Sequence, residues 1–253
     1  MGVKSCLIFC RCGASVIPEE TLSQLEKGLK GFDIDVFELR DLCAFSVNEK
    51  DVLNAIGKEY QKSIIIGCYS RAVKNMLKQG GIELGDVEVL NFKELSVGQI
   101  FSTLGEEFKL LKGEACYQVR ISALDVPAWF PVIDDSLCTY CGKCAQFCLF
   151  GVYKFKKKSL KVVNPLACKN NCPACGRTCP TSAIIFPRLA ENTVLAGDVP
   201  TGKKNPAGKG SLFVMLNDRN QSRKNIFRQG LVKQAEEERR KALEELKSGI
   251  DKM

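Results

Sequence analysis

Cys138-Thr139-Tyr140-Cys141-Gly142-Lys143-Cys144-Ala145-Gln146-Phe147-Cys148, then a lysine-rich interval, then Cys168-Lys169-Asn170-Asn171-Cys172-Pro173-Ala174-Cys175-Gly176-Arg177-Thr178-Cys179-Pro180, is the stretch from which the rest of the chain can be read. Its eight thiols stand at the spacing of iron–sulfur ligands. The stretch is also an internal repeat. Val132-Ile133-Asp134 leads to Cys138 as Val162-Val163-Asn164 leads to Cys168, and Gly151-Val152-Tyr153 parallels Ala183-Ile184-Ile185. Two consecutive copies of a strand, a cysteine loop and a second strand are therefore expected.

These motifs resemble the bacterial two-cluster ferredoxin domain over about residues 131–187. In that family the fourth cysteine of each run binds the other cluster. The resemblance then implies one [4Fe–4S] cluster on Cys138, Cys141, Cys144 and Cys179, and a second on Cys168, Cys172, Cys175 and Cys148. The chain departs from the family in having three residues between Cys168 and Cys172, and Leu149 in place of the usual proline. A pair of zinc sites or a vestigial domain would be the plain alternatives.

The 253 residues, 45% hydrophobic, can bury a real core, and a change of composition near residue 125 suggests two domains. Fourteen cysteines would be a disulfide framework in a secreted protein, yet Met1-Gly2-Val3-Lys4-Ser5-Cys6 does not read as a signal peptide and no apolar run approaches a membrane span. A reducing cytoplasm is expected, where dense cysteines usually mean metal. Histidine is absent, which excludes Rieske centres, imidazole zinc sites and Ser-His or Cys-His catalysis from within this chain.

Residues 3–112 alternate strand and helix signals: strand Val3–Phe9, helix Glu19–Lys30 after Pro18, strand Ile34–Leu39, helix Glu49–Lys62 capped by Asn48, strand Ser63–Ile66, helix Arg71–Gln79 closed by Gly80-Gly81, strand Val87–Leu90 and helix Val97–Lys112. That order predicts an α/β domain with a parallel sheet over residues 1–112. Cys10 and Cys12 follow the first strand, Cys43 the second and Cys68 the third, all on the carboxyl rim where such sheets place ligands. Four thiols on one rim could hold a further [4Fe–4S] cluster or a zinc ion, or simply pack as small apolar side chains. Cys-x-Cys is not the Cys-x-x-Cys of a dithiol oxidoreductase.

Phe9-Cys10-Arg11-Cys12-Gly13, Asp41-Leu42-Cys43 and Ile64-Ile65-Ile66-Gly67-Cys68-Tyr69-Ser70-Arg71 resemble the N-terminal cluster domain of the flavin-carrying chain of heterodisulfide reductases, over roughly the first 95 residues. The resemblance implies a cluster on Cys10, Cys12, Cys43 and Cys68 that relays electrons to a partner subunit. In this sequence Ala44 stands where that family tends to have Ser, and Tyr69 is inserted into its Cys-Ser-Pro-Arg-like pattern. No Gly-x-Gly-x-x-Gly follows a strand, so no flavin is expected in this chain. Cys6 and Cys116 are read as structural.

Residues 113–130 read as a linker with one β-like run, Cys116–Ile121, and Trp129 between two prolines is expected to pack the domain junction. Lys154, Lys156, Lys157, Lys158 and Lys161 should lie on a hairpin joining the two repeats, within residues 131–189, as a docking surface for an acidic partner or an ordinary solvated turn. Residues 190–222 read as a basic extended arm and 223–253 as a C-terminal helix, with Ile226, Phe227, Leu231, Val232, Ala235, Ala242, Leu243 and Leu246 toward one face, suited to lie across a partner subunit. Arg219, Arg223, Lys224 and Arg228 could meet phosphates, but few aromatics accompany them.

The reading is an electron-transfer subunit of an anaerobic oxidoreductase complex, not catalytic alone, with redox-enzyme subunits and a soluble ferredoxin or flavoprotein as expected partners and no nucleic acid or membrane span. A redox-sensing adaptor that regulates or tethers a partner is the competing class.

Overall fold

The run Ser5-Cys-Leu-Ile-Phe-Cys-Arg11 has buried apolar side chains at consecutive positions, which only a strand covered on both faces can use. In the computed structural model, which describes residues 4–200 together with 237 and 240, it is the central strand β1 (Ser5–Arg11) of a five-stranded sheet. The other strands are β2 (Asp35–Arg40), β3 (Lys62–Gly67), β4 (Asp86–Asn91) and β5 (Tyr117–Ile121), in the order β4-β3-β1-β2-β5, every neighbour parallel. The expected parallel α/β arrangement is present. Its edge strand β5 is the β-like run of the expected linker.

Helices α1 (Glu19–Leu29), α2 (Leu42–Asn48), α3 (Lys50–Glu59), α4 (Ser70–Gly80) and α5 (Val97–Glu106) make the crossovers. Right-handed connections place α1 and α5 on one face, packed together, and α2, α3 and α4 on the other. Because β1 feeds β2 on one side while β3 lies on its other side, the chain changes direction between β1 and β3. Their carboxyl ends diverge there and leave the crevice in which such sheets bind ligands.

Three expectations need correction, the first being that α5 stops at Glu106 rather than Lys112. Asn48 does not cap a helix at Glu49; it ends α2, which begins at Leu42 because Asp41, at φ 76°, turns the chain and accepts from the Cys43 N–H at 3.2 Å. β1 also runs on to Arg11, so Cys10 lies within the strand end rather than after it. The α4 terminus is as expected, with Gly81 left-handed at φ 68°, and α5 opens with a Ser96/Gln99 capping box.

Beyond residue 121 come β6 (Val132–Ile133), α6 (Lys143–Phe147), β7 (Tyr153–Lys156), β8 (Ser159–Val162), a 3₁₀ turn (Pro165–Ala167), α7 (Ala174–Arg177) and β9 (Ile184–Ile185). β6 pairs antiparallel with β9 and β7 with β8, so the first strand of one repeat meets the last of the other. This half shares one hydrophobic core with the sheet, and residues 4–200 form a single compact unit. Trp129 is buried, stacks on Phe186 with ring centroids 5.2 Å apart and donates from Nε1 to the Cys172 carbonyl. Gln79 of α4 completes the joint, donating to the Pro131 carbonyl and accepting from the Ile133 N–H, each at 3.0 Å.

Of the expected arm, residues 190–200 pack rather than extend: Val194–Ala196 is a 3₁₀ turn, Ala196 is buried, and Gly197, at φ 117°, lies so close to α4 that a Cβ there would stand 2.6 Å from the Ala72 methyl. The remainder of the arm, with Arg219, Arg223, Lys224 and Arg228, and the expected tail helix lie outside the described residues. Among the described residues, no helix is long and apolar enough to cross a membrane.

Candidate metal centres

Each cysteine loop is placed by the element before it. β1 delivers Cys10 and Cys12, the turn after β2 delivers Cys43 in the first turn of α2, and the end of β3 delivers Cys68. β2, β1 and β3 are adjacent, so the four thiols meet at the carboxyl rim on both sides of the crevice. Cys10 and Cys43 are buried, Cys12 and Cys68 half-buried. Burial raises every one of these thiols, Cys68 to about 12. At Cys43 the negative potentials of Asp41, Cys68, Cys10 and Cys12 add to the effect. Backbone N–H groups point the other way: Ala14 donates to Cys12 Sγ at 3.5 Å and Leu42 to Cys10.

Three charged side chains surround this group. Asp41 caps α2 beside Cys43 and is paired with Arg188, both side chains largely buried. Burial raises the Asp41 carboxyl, with Arg188 opposing, and Arg188 also faces Cys12, where it favours the thiolate. Lys93, half-buried, donates to the Leu189 carbonyl at 2.8 Å; burial lowers it, while Cys68 and Cys12 favour its charge. Sequence reading missed these roles. Asp41 lies within Asp41-Leu42-Cys43, but Arg188 is 147 residues further on and no local signal marks it.

The second half holds eight more thiols. Burial raises Cys138, with Cys179 and Cys141 adding to it, and raises Cys144 to about 12, with Cys175, Cys179 and Cys138 adding. Cys141 is exposed and lowered, chiefly by the Lys143 N–H. Cys168 is raised by burial to about 12, Cys175, Cys172 and Cys148 contributing. Cys138 thus has Cys179 and Cys141 as neighbours, Cys168 has Cys175, Cys172 and Cys148, and Cys144 has Cys175 as well as Cys179 and Cys138. Short helices α6 and α7 carry Cys144 and Cys175, and each leads into the last cysteine of its run.

Hydrogen bonds converge on these sulfurs: the Tyr153 hydroxyl donates to Cys175 Sγ at 3.1 Å and the Ala183 N–H donates to Cys179 Sγ at 3.3 Å. Gly142, at φ 74°, is required where Phe155 covers the first loop, since a Cβ would stand 2.6 Å from its ring. Among the described residues, no three of Cys, Asp and Glu close around a position for one metal ion. Of the two cysteines read as structural, Cys6 is fully buried 3.6 Å from the Ser63 hydroxyl, while Cys116 is exposed.

No family model and no solved structure matches the chain. Over 61 residues it is 43% identical to an uncharacterized ferredoxin of Methanocaldococcus jannaschii, a match that takes in 24% of this chain and 42% of that relative. The chain therefore carries a ferredoxin-like region, and it spans less than half the length of the curated relative it matches.

Proposed function

We propose that this chain is an iron–sulfur electron-transfer protein, with [4Fe–4S] clusters on the two thiol groups of residues 131–187 and a third on Cys10, Cys12, Cys43 and Cys68. It would serve a redox-enzyme partner as in heterodisulfide reductase-like complexes. The observation that carries the reading is that one compact unit brings cysteines from separate loops close enough to act on one another, Cys43 with Cys10, Cys12 and Cys68 at the rim, and Cys144 and Cys168 with their neighbours in the repeated half. The ferredoxin-like match and the reciprocal pairing of β6 with β9 and β7 with β8 support the two-cluster part.

The donor set fits the cofactor. Thiols this buried ionise at a cost, which a cationic centre offsets by binding the thiolates. A four-iron cluster, in which every thiolate has an iron of its own, does not need the closure of a single-ion site. When bound, such clusters accept and release single electrons. The chain's own residues hold them, exclude water and set their potentials: Tyr153 and backbone N–H groups stabilise the more negative state at the sulfurs, and Lys93 and Arg188 do so at the rim. The influence of Cys175 on Cys144 supports a short path between the two proposed clusters of the repeated half.

Iron and acid-labile sulfide on anaerobically prepared protein, with EPR of the reduced state, test this reading. About twelve irons per chain are expected from three four-iron clusters. About eight, with one signal absent, would remove the rim cluster from the proposal, and zinc in stoichiometric amount would remove the electron-transfer function.

A further inference from the structure

From Ser136 to Ala190 the chain contains no aspartate or glutamate, while seven lysines and two arginines fall in the same interval. The fold puts much of this charge in one place. Lys154, Lys156, Lys157 and Lys158 are exposed along β7 and its turn into β8. The lysine ion pairs among the described residues use Lys4, Lys30, Lys62 and Lys78 and none of these four. Like charges held together without partners raise a positive potential over the hairpin.

Beside it the surface turns apolar. Phe147, Leu149 and Phe150 flank Cys148 and are 52%, 90% and 44% exposed, while Phe155 of the hairpin covers Gly142, next to the exposed Cys141. Single exposed apolar side chains are ordinary, but three within four residues, next to a cationic hairpin, mark an interaction surface.

We propose that the β7–β8 hairpin and the apolar segment around Cys148 form a docking face for a redox protein whose own electron-exchange site is ringed by aspartate and glutamate. The proposal rests on the electron-transfer reading above and adds the place and charge of the partner. One electron crosses in each encounter; no bond forms or breaks and no proton travels with it. The lysines steer and orient the partner, which governs the association rate and its salt dependence. The apolar segment, adjoining Cys148 and near Cys141, excludes water at the point of closest approach and lengthens the encounter. Nucleic acid is the less favoured occupant: its phosphates would engage the lysines and Phe147, Phe150 and Phe155 could stack on bases, but Leu149, 90% exposed, matches an apolar protein surface.

The test uses the cluster-loaded full chain and, as probe, a reduced acidic plant-type [2Fe–2S] ferredoxin. Stopped-flow oxidation of the probe is followed at ~20 mM and ~300 mM salt, where screening differs several-fold, and calorimetry of the oxidised proteins gives affinity without electron transfer. The wild-type rate should fall about tenfold with salt, and K156E/K157E/K158E should lower the low-salt rate on the order of 30-fold and abolish most of the salt dependence. Leu149→Ser should weaken affinity by about fivefold with the salt dependence intact. K27E/K58E, on exposed faces of α1 and α3, should change neither. A triple variant with wild-type rate and salt slope overturns the proposal. So does a triple variant that loses binding to a single-stranded DNA oligonucleotide while its ferredoxin kinetics stay unchanged. Reduction by a small-molecule dye separates the two readings: a chain that no dye reduces ends the electron-transfer reading, whereas a dye-competent chain indifferent to the lysines ends only the docking face.

Discussion

The Arg71 guanidinium donates from Nε to the Asp134 carboxylate at 2.6 Å, with the two side chains 10% and 7% exposed. Its remaining nitrogens donate to the carbonyls of Val194, Asp198 and Ser182. One side chain, three residues after Cys68, thereby ties the α/β sheet to the segments that precede Cys138 and follow Cys179. Arg71→Ala leaves a buried carboxylate and three carbonyls without that donor, and should cost about 3–5 kcal/mol of unfolding free energy in a denaturant titration.

The same pair gives a pH dependence. Burial favours the neutral Asp134, but hydrogen bonds from Ser136 and Arg71 outweigh it, so the carboxyl is held below the ordinary aspartate range. A depressed folded pKa contributes stability above the unfolded value, and this is lost as pH falls through the folded one. Urea titrations between about pH 7 and about pH 2 should therefore show wild type and Asp134→Asn converging as the pH drops. Curves that stay parallel would assign the cost of Asp134→Asn to shape rather than charge.

The proposed exchange of fourth cysteines between the two runs predicts which signals disappear together. Cys179→Ala should lose the EPR signal that Cys141→Ala loses, and Cys148→Ala the one that Cys172→Ala loses, each with a fall of about four irons. The opposite match would show that each run closes its own cluster.

Arg188 is carried by the chain after β9 but acts at the rim of the sheet, where it faces Cys12 and pairs with Asp41. Arg188→Gln removes a cation and leaves Asp41 without its ion-pair partner beside the thiols, so the proposed rim cluster should become harder to reduce by on the order of 50 mV, about 1 kcal/mol for one electron. Arg188→Lys should recover much of that shift. Redox titration by EPR reads the difference, and the other two clusters should keep their potentials.

Tyr153→Phe removes a single hydrogen bond, 3.1 Å long, to Cys175 Sγ. The cluster proposed for Cys148, Cys168, Cys172 and Cys175 should shift negative by a few tens of millivolts, about the worth of one net hydrogen bond, with iron content unchanged. An unchanged potential would show that the hydroxyl only fills space beside the sulfur.

Much of this protein is legible locally. The runs from Cys138 to Cys148 and Cys168 to Cys179 announce their chemistry because ligands in a short loop must be close in sequence to converge. The strand and helix order of residues 3–112 follows from periodicity, and from that order comes the rim position of Cys10, Cys12, Cys43 and Cys68, since a parallel sheet puts every strand's carboxyl end on one side. The boundary at Asp41 is less legible. Aspartate tolerates the left-handed region and favours N-caps, but which Asp takes that role is decided by its tertiary surroundings, here the pair with Arg188 beside the cap on Cys43.

What the amino-acid sequence determined by itself was therefore the donor type, its number and the periodic pattern that fixes an α/β half and a repeated half. Tertiary structure alone decided how the two halves meet. The expected linker supplies the edge strand β5, the first residues of the expected arm pack on α4, and Arg71 and Arg188 each reach more than sixty residues along the chain to a buried carboxylate. A charge that far from its partner finds it only when folding removes both from water, because burial makes the pairing obligatory and leaves no trace of it in either local stretch.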